Sequence, residues 1–210
     1  MRLTVFGATG GVGQEIVKQA LAAGHHVTAV VRDPSGYAPA HERLEVFRSD
    51  LSDPEQVRKA VAGRDAVLSG LGARRLKDAG ITHRLTRTVL AAMEAEGVRR
   101  LVVVSAGPLS PALRGQPPLD RLMRAVIGTV LKKIYDDLRV MESDLAASGT
   151  DWTSVRPPRL LDKPLTGTYR KVVGGMPRSG RTLARADVAH AMLGALDDPA
   201  TVRQGVGVAY

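Results

Sequence analysis

The residues with the clearest chemical potential are the glycines of one short run, Gly7-Ala8-Thr9-Gly10-Gly11-Val12-Gly13. Gly7 would let the chain turn sharply, Gly10 would let the backbone approach a pyrophosphate closely, and Gly13 would let a following helix lie against the preceding strand. A helix that begins here points unpaired N–H groups and the positive end of its dipole at an anion. The run, which also contains Thr9, Gly11 and Val12, therefore predicts a site for the phosphates of a dinucleotide.

The segments around this run have the pattern that such a site needs. An apolar run at residues 3–6 precedes it, a helical pattern follows and ends near Gly24, and a second apolar run covers residues 27–31. Strand, glycine turn, helix and strand make up the first βαβ unit of a dinucleotide-binding fold. The alternative is a structural glycine turn in an α/β protein that binds no nucleotide.

The rest of the chain alternates apolar runs with helical patterns, which predicts an α/β fold with a Rossmann-type, doubly wound, mostly parallel sheet flanked by helices. Since the 210 residues contain neither a linker nor a repeat, we expect a single domain over residues 1–210. Further strands are predicted at 44–47, 66–69, 101–104, 152–155 and, at an edge, 205–210, and further helices from Asp53 and at 81–96, 119–145 and 184–196. Residues 107–118 are expected to be irregular and 170–180 irregular or a hairpin, and the substrate side is expected at about 107–135 and 160–185.

Ligands of such sheets bind at the carboxyl ends of the strands, near the point where the strand order reverses. The candidate residues are those that follow the predicted strands: Thr9, Arg32, Asp50, Leu71, Gly72, Ser105 and Pro157. A guanidinium at Arg32 could pair with a 2′-phosphate through two N–H groups, at a point where NAD sites usually place a carboxylate. Asp33, one position later, could instead reach the ribose hydroxyls.

Composition and charge exclude several classes of protein. The 30 Lys and Arg residues outnumber the 21 Asp and Glu residues, and the net charge of +9 favours acidic partners. Aromatic residues make up only 3% of the chain and no nucleic-acid motif is present, so we expect anionic small molecules rather than nucleic acid. No apolar stretch approaches the roughly 20 residues of a membrane span, and neither a span nor a signal peptide is expected. The absence of cysteine excludes disulfides and is typical of a reducing compartment, so we expect a cytoplasmic protein.

Two further arrangements are not expected. The five histidines are scattered or adjacent at a turn, so no metal site is predicted. Asp136 and Asp137 are neighbours on a predicted helix and point in different directions, so they are not expected to form a carboxylate dyad.

The motifs at the strand ends, taken together, resemble those of a known family. The similar segments are Gly7-Ala8-Thr9-Gly10, Val31-Arg32-Asp33, Ser49-Asp50-Leu51, Leu71-Gly72-Ala73-Arg74, Val104-Ser105-Ala106, Arg156-Pro157-Pro158, 163–169 and 184–190. The chain resembles the atypical short-chain dehydrogenase/reductases and, among them, the NAD(P)H-binding reductases of the biliverdin-IXβ reductase/flavin reductase type. The resemblance covers nearly the whole chain.

This resemblance implies roles for the residues near the adenine half of a cofactor. It implies that Arg32 binds the 2′-phosphate, so that the cofactor is NADPH rather than NADH. It also implies that Asp50 accepts a hydrogen bond from the adenine amino group and that Arg74 reaches an anionic group. The alternatives are solvated side chains for the two arginines, and for Asp50 a turn cap on Ser52 or Asp53.

Further roles are implied near the nicotinamide half. The backbone at Leu71 and Gly72 would line the ribose and phosphate, and Pro157 would pack near the nicotinamide. Ser105 would act as a positioning group that orients the carboxamide or the acceptor, because no partner base makes it a nucleophile. The alternative for Ser105 is a polar strand end.

Two positions depart from the family's pattern. Short-chain enzymes that act on alcohols and ketones use a Tyr-x-x-x-Lys pair for proton transfer, whereas Tyr135 is followed four positions later by Arg139. Arg159 follows Pro157-Pro158, where the biliverdin-type reductases often carry histidine. Whether Tyr135 or Arg159 takes part in proton transfer is left open by the sequence.

The sequence therefore predicts an NADPH-dependent reductase that transfers a hydride to a planar, conjugated, anionic acceptor such as a flavin, a quinone or a tetrapyrrole. The main alternative is a non-catalytic, NmrA-like protein that binds NADP(H) and regulates a partner. An extended-type epimerase or dehydratase and a nucleic-acid-binding protein are weaker alternatives. The identity of the acceptor and the oligomeric state are left open.

Overall fold

The computed structural model describes residues 1–37, 40–73, 78–110, 129 and 131–210. These residues form a β-sheet between two layers of helices. The strands are β1 (Arg2–Phe6), β2 (His26–Val31), β3 (Leu44–Arg48), β4 (Ala66–Ser69), β5 (Arg100–Val104), β6 (Asp151–Arg156), β7 (Arg159–Leu161), β8 (Arg170–Val173), β9 (Thr182–Ala184) and β10 (Gln204–Ala209). The α-helices are α1 (Gly11–Ala22), α2 (Pro54–Val61), α3 (Ile81–Ala95), α4 (Lys132–Ala147) and α5 (Arg185–Gly194).

The main sheet has eight strands in the order β3-β2-β1-β4-β5-β6-β10-β8. Neighbouring strands run parallel, except that β8 is antiparallel to β10. The strand order reverses between β1 and β4, as in a doubly wound Rossmann-type sheet, which confirms the predicted fold class. β7 and β9 pair in parallel as a separate two-stranded sheet.

The strand predicted at residues 205–210 is present as β10, but the prediction that it lies at an edge is wrong. β10 lies inside the sheet, parallel to β6 on one side and antiparallel to β8 on the other. β8 is the edge strand, although its residues were expected to be irregular or to form a hairpin. Gly207 allows the segment that follows β8 to pass close to β10, because a Cβ at this position would lie 2.6 Å from the Sδ atom of Met176.

Alternate strand residues enter the two helical layers, as the two-residue period of a strand requires. Val5 of β1 joins the apolar cluster that α1 and α5 cover, whereas Phe6 joins the cluster that α2, α3 and α4 cover. The buried face of α1 repeats every four residues, at Val12, Ile16 and Ala20, which is one stripe of a helix. This stripe holds α1 along the sheet.

The other predicted helices agree with the structure where it describes the chain. α2 begins as expected, because Asp53 accepts a hydrogen bond from the N–H of Glu55 at 2.9 Å and Pro54 occupies the first turn. α4 lies within and just beyond the second half of the helix predicted at 119–145, and the predicted residues 119–128 and 130 lie outside the described residues. Within the described ranges, no helix is both long enough and apolar enough to cross a membrane.

The glycines of the first turn bring three backbone segments into contact. Gly7 has a φ of +71°, which favours glycine, and a Cβ on it would lie 2.8 Å from the carbonyl carbon of Gly70 at the end of β4. A Cβ on Gly13 would overlap the carbonyl group of Gly7 and lie 2.9 Å from the Cα of Ala8. The start of α1 is therefore in direct backbone contact with the turn after β1 and with the end of β4.

We expect Gly13→Ala to lower the free energy of unfolding by roughly 1–3 kcal/mol, because an added methyl group must displace backbone atoms. Gly194→Ala is the matched control within a helix, since nothing lies within 4 Å of the Cβ it would add. That control should leave stability unchanged or raise it by up to about 1 kcal/mol. Urea unfolding of both variants measures the difference, and equal midpoints would contradict the close contact.

Candidate functional site

A cleft of about 490 Å³ opens at the carboxyl ends of β3, β2, β1 and β4, where the strand order reverses. Seven of the sequence-predicted site residues line it: Gly7, Thr9, Gly10, Arg32, Asp50, Leu71 and Gly72. The structure therefore brings together residues that are spread over the first 72 positions of the chain. The cleft is also lined by residues to which the sequence analysis assigned no role: Phe6, Val30, Val31, Ser49, Leu51, Gly70, Asp78, Ile81, Thr82 and Leu85.

The start of α1 borders this cleft and presents donors for an anion. Gly10 is the residue before the helix, and no side chain among the described residues caps this end. The N–H of Gln14 donates to the carbonyl of Gly10 at 2.8 Å, so the helix ladder begins there. The preceding N–H groups have no partner within the helix, and the first turn holds no acidic residue. This end can hold a phosphate group.

The remaining residues predicted around this turn have different placements. Gly11 and Gly13 belong to the first turn of α1 and are not among the residues that line the cleft. The side chain of Val12 is buried in the apolar cluster under α1. Arg74 lies outside the described residues.

Arg32 and Asp33 differ in their relation to the cleft. Arg32 is exposed directly after β2 and lines the cleft, whereas Asp33 does not. The carboxylate of Asp33 accepts a hydrogen bond from the N–H of Ser35 at 2.9 Å. Hydrogen bonding by Ser35 and the charge of Arg48 lower the pKa of Asp33. The cleft therefore carries the guanidinium of Arg32, while the carboxylate of Asp33 stabilises a turn and does not line the cleft.

Asp50 caps a turn and lines the cleft. It accepts hydrogen bonds from the N–H and the hydroxyl group of Ser52, at 2.9 and 2.6 Å. These bonds, together with the charge of Arg32, lower the pKa of Asp50. The turn-cap alternative is thus present in the structure, and a role toward adenine stays a prediction.

The backbone conformation of Leu51 is a feature of this turn that the amino-acid sequence did not reveal. It has a φ of +67°, uncommon for a residue with a side chain, and it is buried in the wall of the cleft. Its N–H donates to the hydroxyl oxygen of Ser49 at 3.1 Å. The hydrogen bonds of Ser49 and Asp50 hold the kink that brings residues 49–51 to the cleft.

Ser105 and Pro157 lie beyond the cleft, at the ends of β5 and β6. β6 is three strand spacings from β1, roughly 14 Å, so these residues lie further along the same edge of the sheet. The N–H of Ser105 donates to the carbonyl of Val155 at 2.7 Å, and the carbonyl of Pro157 accepts from Gly107 at 2.8 Å. The hydroxyl oxygen of Ser105 is buried and has no hydrogen-bond partner among the described residues. A buried hydroxyl without a hydrogen-bond partner costs folding free energy. The surroundings of Ser105 therefore suit a ligand that would form this hydrogen bond.

Asp137 of α4 fixes the start of α3, whose first residues form the far wall of the cleft. Gly80 precedes α3 and has no side chain with which to cap it. The carboxylate of Asp137 accepts hydrogen bonds from the N–H groups of Gly80, Thr82 and His83 at 2.9–3.1 Å, and lies 2.7 Å from Nδ1 of His83. Burial raises the pKa of Asp137, but the hydrogen bonds from His83 and Thr82 outweigh this effect and hold it below its usual value.

The neighbouring positions of α4 serve other contacts. Asp136 is exposed and pairs with Lys132 and Arg139, each at 2.6 Å, whereas the carboxylate of Asp137 binds the start of α3. Tyr135 is buried in the apolar layer, and the guanidinium of Arg139 binds Asp136. This arrangement differs from a tyrosine–lysine pair built for proton transfer.

We expect Asp137→Asn to lower the free energy of unfolding by on the order of 2 kcal/mol near pH 7, because an amide turns an N–H group toward buried donors. The folded pKa of Asp137 lies below the unfolded value of about 3.9. The stabilisation is therefore complete above that value and is lost as the pH falls through the folded pKa.

Urea unfolding of the wild type and of Asp137→Asn, repeated at several pH values, measures this contribution. The difference in the free energy of unfolding between the two proteins should begin to narrow as the pH falls below about 4. Asp136→Asn changes the adjacent exposed carboxylate in the same way and should alter stability little. A gap that does not depend on pH would show that the carboxylate charge of Asp137 does not hold α3.

Comparisons with known proteins agree with this geometry. Residues 7–199 match the family described as NAD(P)H-binding. A 3-diazoavenalumate denitrifying reductase from a Streptomyces species is 36% identical over 132 residues, which are 57% of this chain and 42% of that protein. The chain thus spans less than half the length of this curated relative.

Two solved structures share the fold. An anaerobillin reductase from Escherichia coli O157:H7 is 24% identical, with a TM-score of 0.80 over 100% of this chain and 97% of that one. A short-chain dehydrogenase/reductase from Veillonella parvula, solved in complex with NADP, is 22% identical, with a TM-score of 0.81 over 100% of this chain and 94% of that one.

Proposed function

The chain belongs to the NAD(P)H-binding family, and from this membership and the geometry of the cleft we propose that it is an NADPH-dependent reductase. Its acceptor is a planar, conjugated, anionic molecule of the flavin, quinone or tetrapyrrole class. The observation that carries the choice of NADPH is the pair of placements after β2: Arg32 lines the cleft, whereas Asp33 binds Ser35. A guanidinium attracts a 2′-phosphate that a carboxylate would repel.

The described residues fit the parts of this cofactor in order along the sheet. In this proposal, Arg32 and Asp50 would bind the adenosine end, and the uncapped start of α1 at the border of the cleft would bind the diphosphate. Ser105 and Pro157, at the ends of β5 and β6, would lie toward the nicotinamide. The buried, unpartnered hydroxyl of Ser105 is suited to orient a carboxamide or an acceptor oxygen.

The proposed acceptor class is supported by the arrangement of Tyr135 and Arg139, which does not resemble a tyrosine–lysine pair for proton transfer. The reduced nicotinamide supplies the hydride chemistry, while the protein supplies orientation and electrostatics. Reduction of a ketone needs an acid that protonates the oxygen, and Tyr135 with Arg139 does not form the usual pair. A flavin accepts a hydride at N5 and can take its proton from water. The net charge of +9 favours acceptors that carry phosphate or carboxylate groups.

We expect Arg32→Ala to weaken NADPH binding by roughly 10-fold or more and NADH binding much less, since only NADPH carries the 2′-phosphate. Fluorescence titration with each cofactor measures the two dissociation constants. Arg99→Ala is the control, because Arg99 is also exposed but precedes β5. It therefore lies at the amino ends of the strands, away from the cleft at their carboxyl ends. Equal weakening of both cofactors, or no change in either, would defeat the assignment of Arg32.

Turnover tests the reductase itself. NADPH oxidation, followed by absorbance, should depend on an added acceptor, with FMN, a quinone and biliverdin offered separately. Tight NADPH binding without turnover on any acceptor would contradict the reductase and favour the NmrA-like regulator.

Ser105→Ala sharpens the turnover test. It should lower kcat by roughly 10-fold if the hydroxyl orients the reactants. It should leave urea unfolding almost unchanged, because the hydroxyl that is removed makes no hydrogen bond within the described residues. An unaltered kcat would remove Ser105 from the site.

A further inference from the structure

The side chain of Arg185 lies across the first turn of α1. An ideal Cβ on Gly11 would be only 2.6 Å from Cδ and 2.8 Å from Nε of Arg185. The space beside Gly11 is thus filled by an arginine that comes from the first position of α5, far along the chain. Because Gly11 has no side chain, Arg185 can lie this close to the glycine turn without displacing any atom.

The electrostatics of this position call for an anion. Both α1 and α5 begin here, and neither start has a side-chain cap among the described residues. The beginning of a helix carries a partial positive charge, so a guanidinium beside two such ends is unfavourable unless a negative group joins it. Asp187 lies in the first turn of α5, but its carboxylate accepts hydrogen bonds from Thr166, Gly167 and Tyr210. The negative group that pairs with Arg185 is the carboxylate of Asp162.

The Arg185–Asp162 pair is easily exchanged. The side chain of Asp162 is 88% exposed, and ion pairs in such surroundings contribute little to stability. A diphosphate would bring more negative charge to Arg185 than the carboxylate of Asp162 does. It would also accept hydrogen bonds from the N–H groups at the start of α1.

Other cations of the same part of the chain have partners away from this turn. Arg156 pairs with Glu142 of α4 at 2.7 Å, and Lys171 pairs with Asp198 at 2.6 Å. Arg185, in contrast, lies against the glycine turn, beside Gly11.

We propose that Arg185 is a further cofactor-binding residue, which exchanges Asp162 for the diphosphate and closes over it at the start of α1. This inference rests on the proposed function. Arg185 differs from Arg32 in the group it recognises: the diphosphate is common to NADPH and NADH, whereas the 2′-phosphate is not. Arg185 therefore contributes affinity without selecting between the two cofactors.

The test measures the binding of NADPH and NADH to the wild-type protein and to Arg185→Gln by fluorescence titration at one fixed salt concentration. We expect both dissociation constants to rise by roughly 10-fold to 100-fold and by the same factor, as for the loss of a charged hydrogen bond. Arg99→Gln is the matched control, because Arg99 also pairs with a carboxylate, Asp151, on the exposed surface. It should leave both constants unchanged.

Asp162→Asn provides an independent variant that leaves the arginine in place. Without the competing carboxylate, both cofactors should bind more tightly, by at most about fivefold, since the exposed pair is weak. This variant decides the question should Arg185→Gln fail to fold, which its urea unfolding curve reports. Weaker binding by Asp162→Asn would count against the exchange.

Several results would overturn the inference while leaving the proposed function intact. Unchanged binding by Arg185→Gln would remove Arg185 from the site, and tighter binding would show that its side chain obstructs the cofactor. A loss confined to NADPH would place Arg185 at the 2′-phosphate instead. If the wild-type protein bound neither cofactor, the proposed function itself would fail.

Discussion

The contact between three backbone segments is the constraint on which the rest of the cleft depends. The turn at Gly7 meets the end of β4 at Gly70, and the start of α1 lies against that turn at Gly13, with no side chain between them. This spacing brings the first turn of α1 to the point where the sheet reverses its order. If the segments were further apart, the unpaired N–H groups of the helix would move away from the crevice and could not hold an anion there.

The opposite wall of the cleft is fixed in a different way. α3 begins after Gly80, which cannot cap it, and Asp137 of α4 supplies the missing acceptor from more than 50 residues further along the chain. The position of this wall therefore depends on how α4 packs against α3, and not on the local sequence of α3. One side of the cleft is defined by a short glycine turn and the other by a buried carboxylate.

This difference explains how much could be predicted from the sequence. The glycine turn, the first six strands of the chain and the Asp53 cap depend on neighbouring residues, so periodicity and residue type reveal them. The place of β10 depends on its pairing with β6 and β8, which no local pattern records, and it was wrongly predicted at the edge. The contacts of Asp137 with α3 and of Arg185 with Gly11 join distant segments. They therefore become visible only in the folded chain.

The surroundings of Ser105 bear on the kind of reaction that the site favours. A buried hydroxyl without a partner among the described residues is rare in folded proteins, and here it stands on the strand that follows the cleft. A hydroxyl can orient a carboxamide or a carbonyl oxygen, but its high pKa makes it a poor proton donor at neutral pH. Tyr135 lies in the apolar layer and Arg139 binds Asp136, so these two residues do not form an arrangement like the tyrosine–lysine pair. Under the proposed function, these residues would hold two reactants in position rather than protonate one of them, and the proposal therefore assigns the site an acceptor that stabilises the incoming electron pair within its own conjugated system.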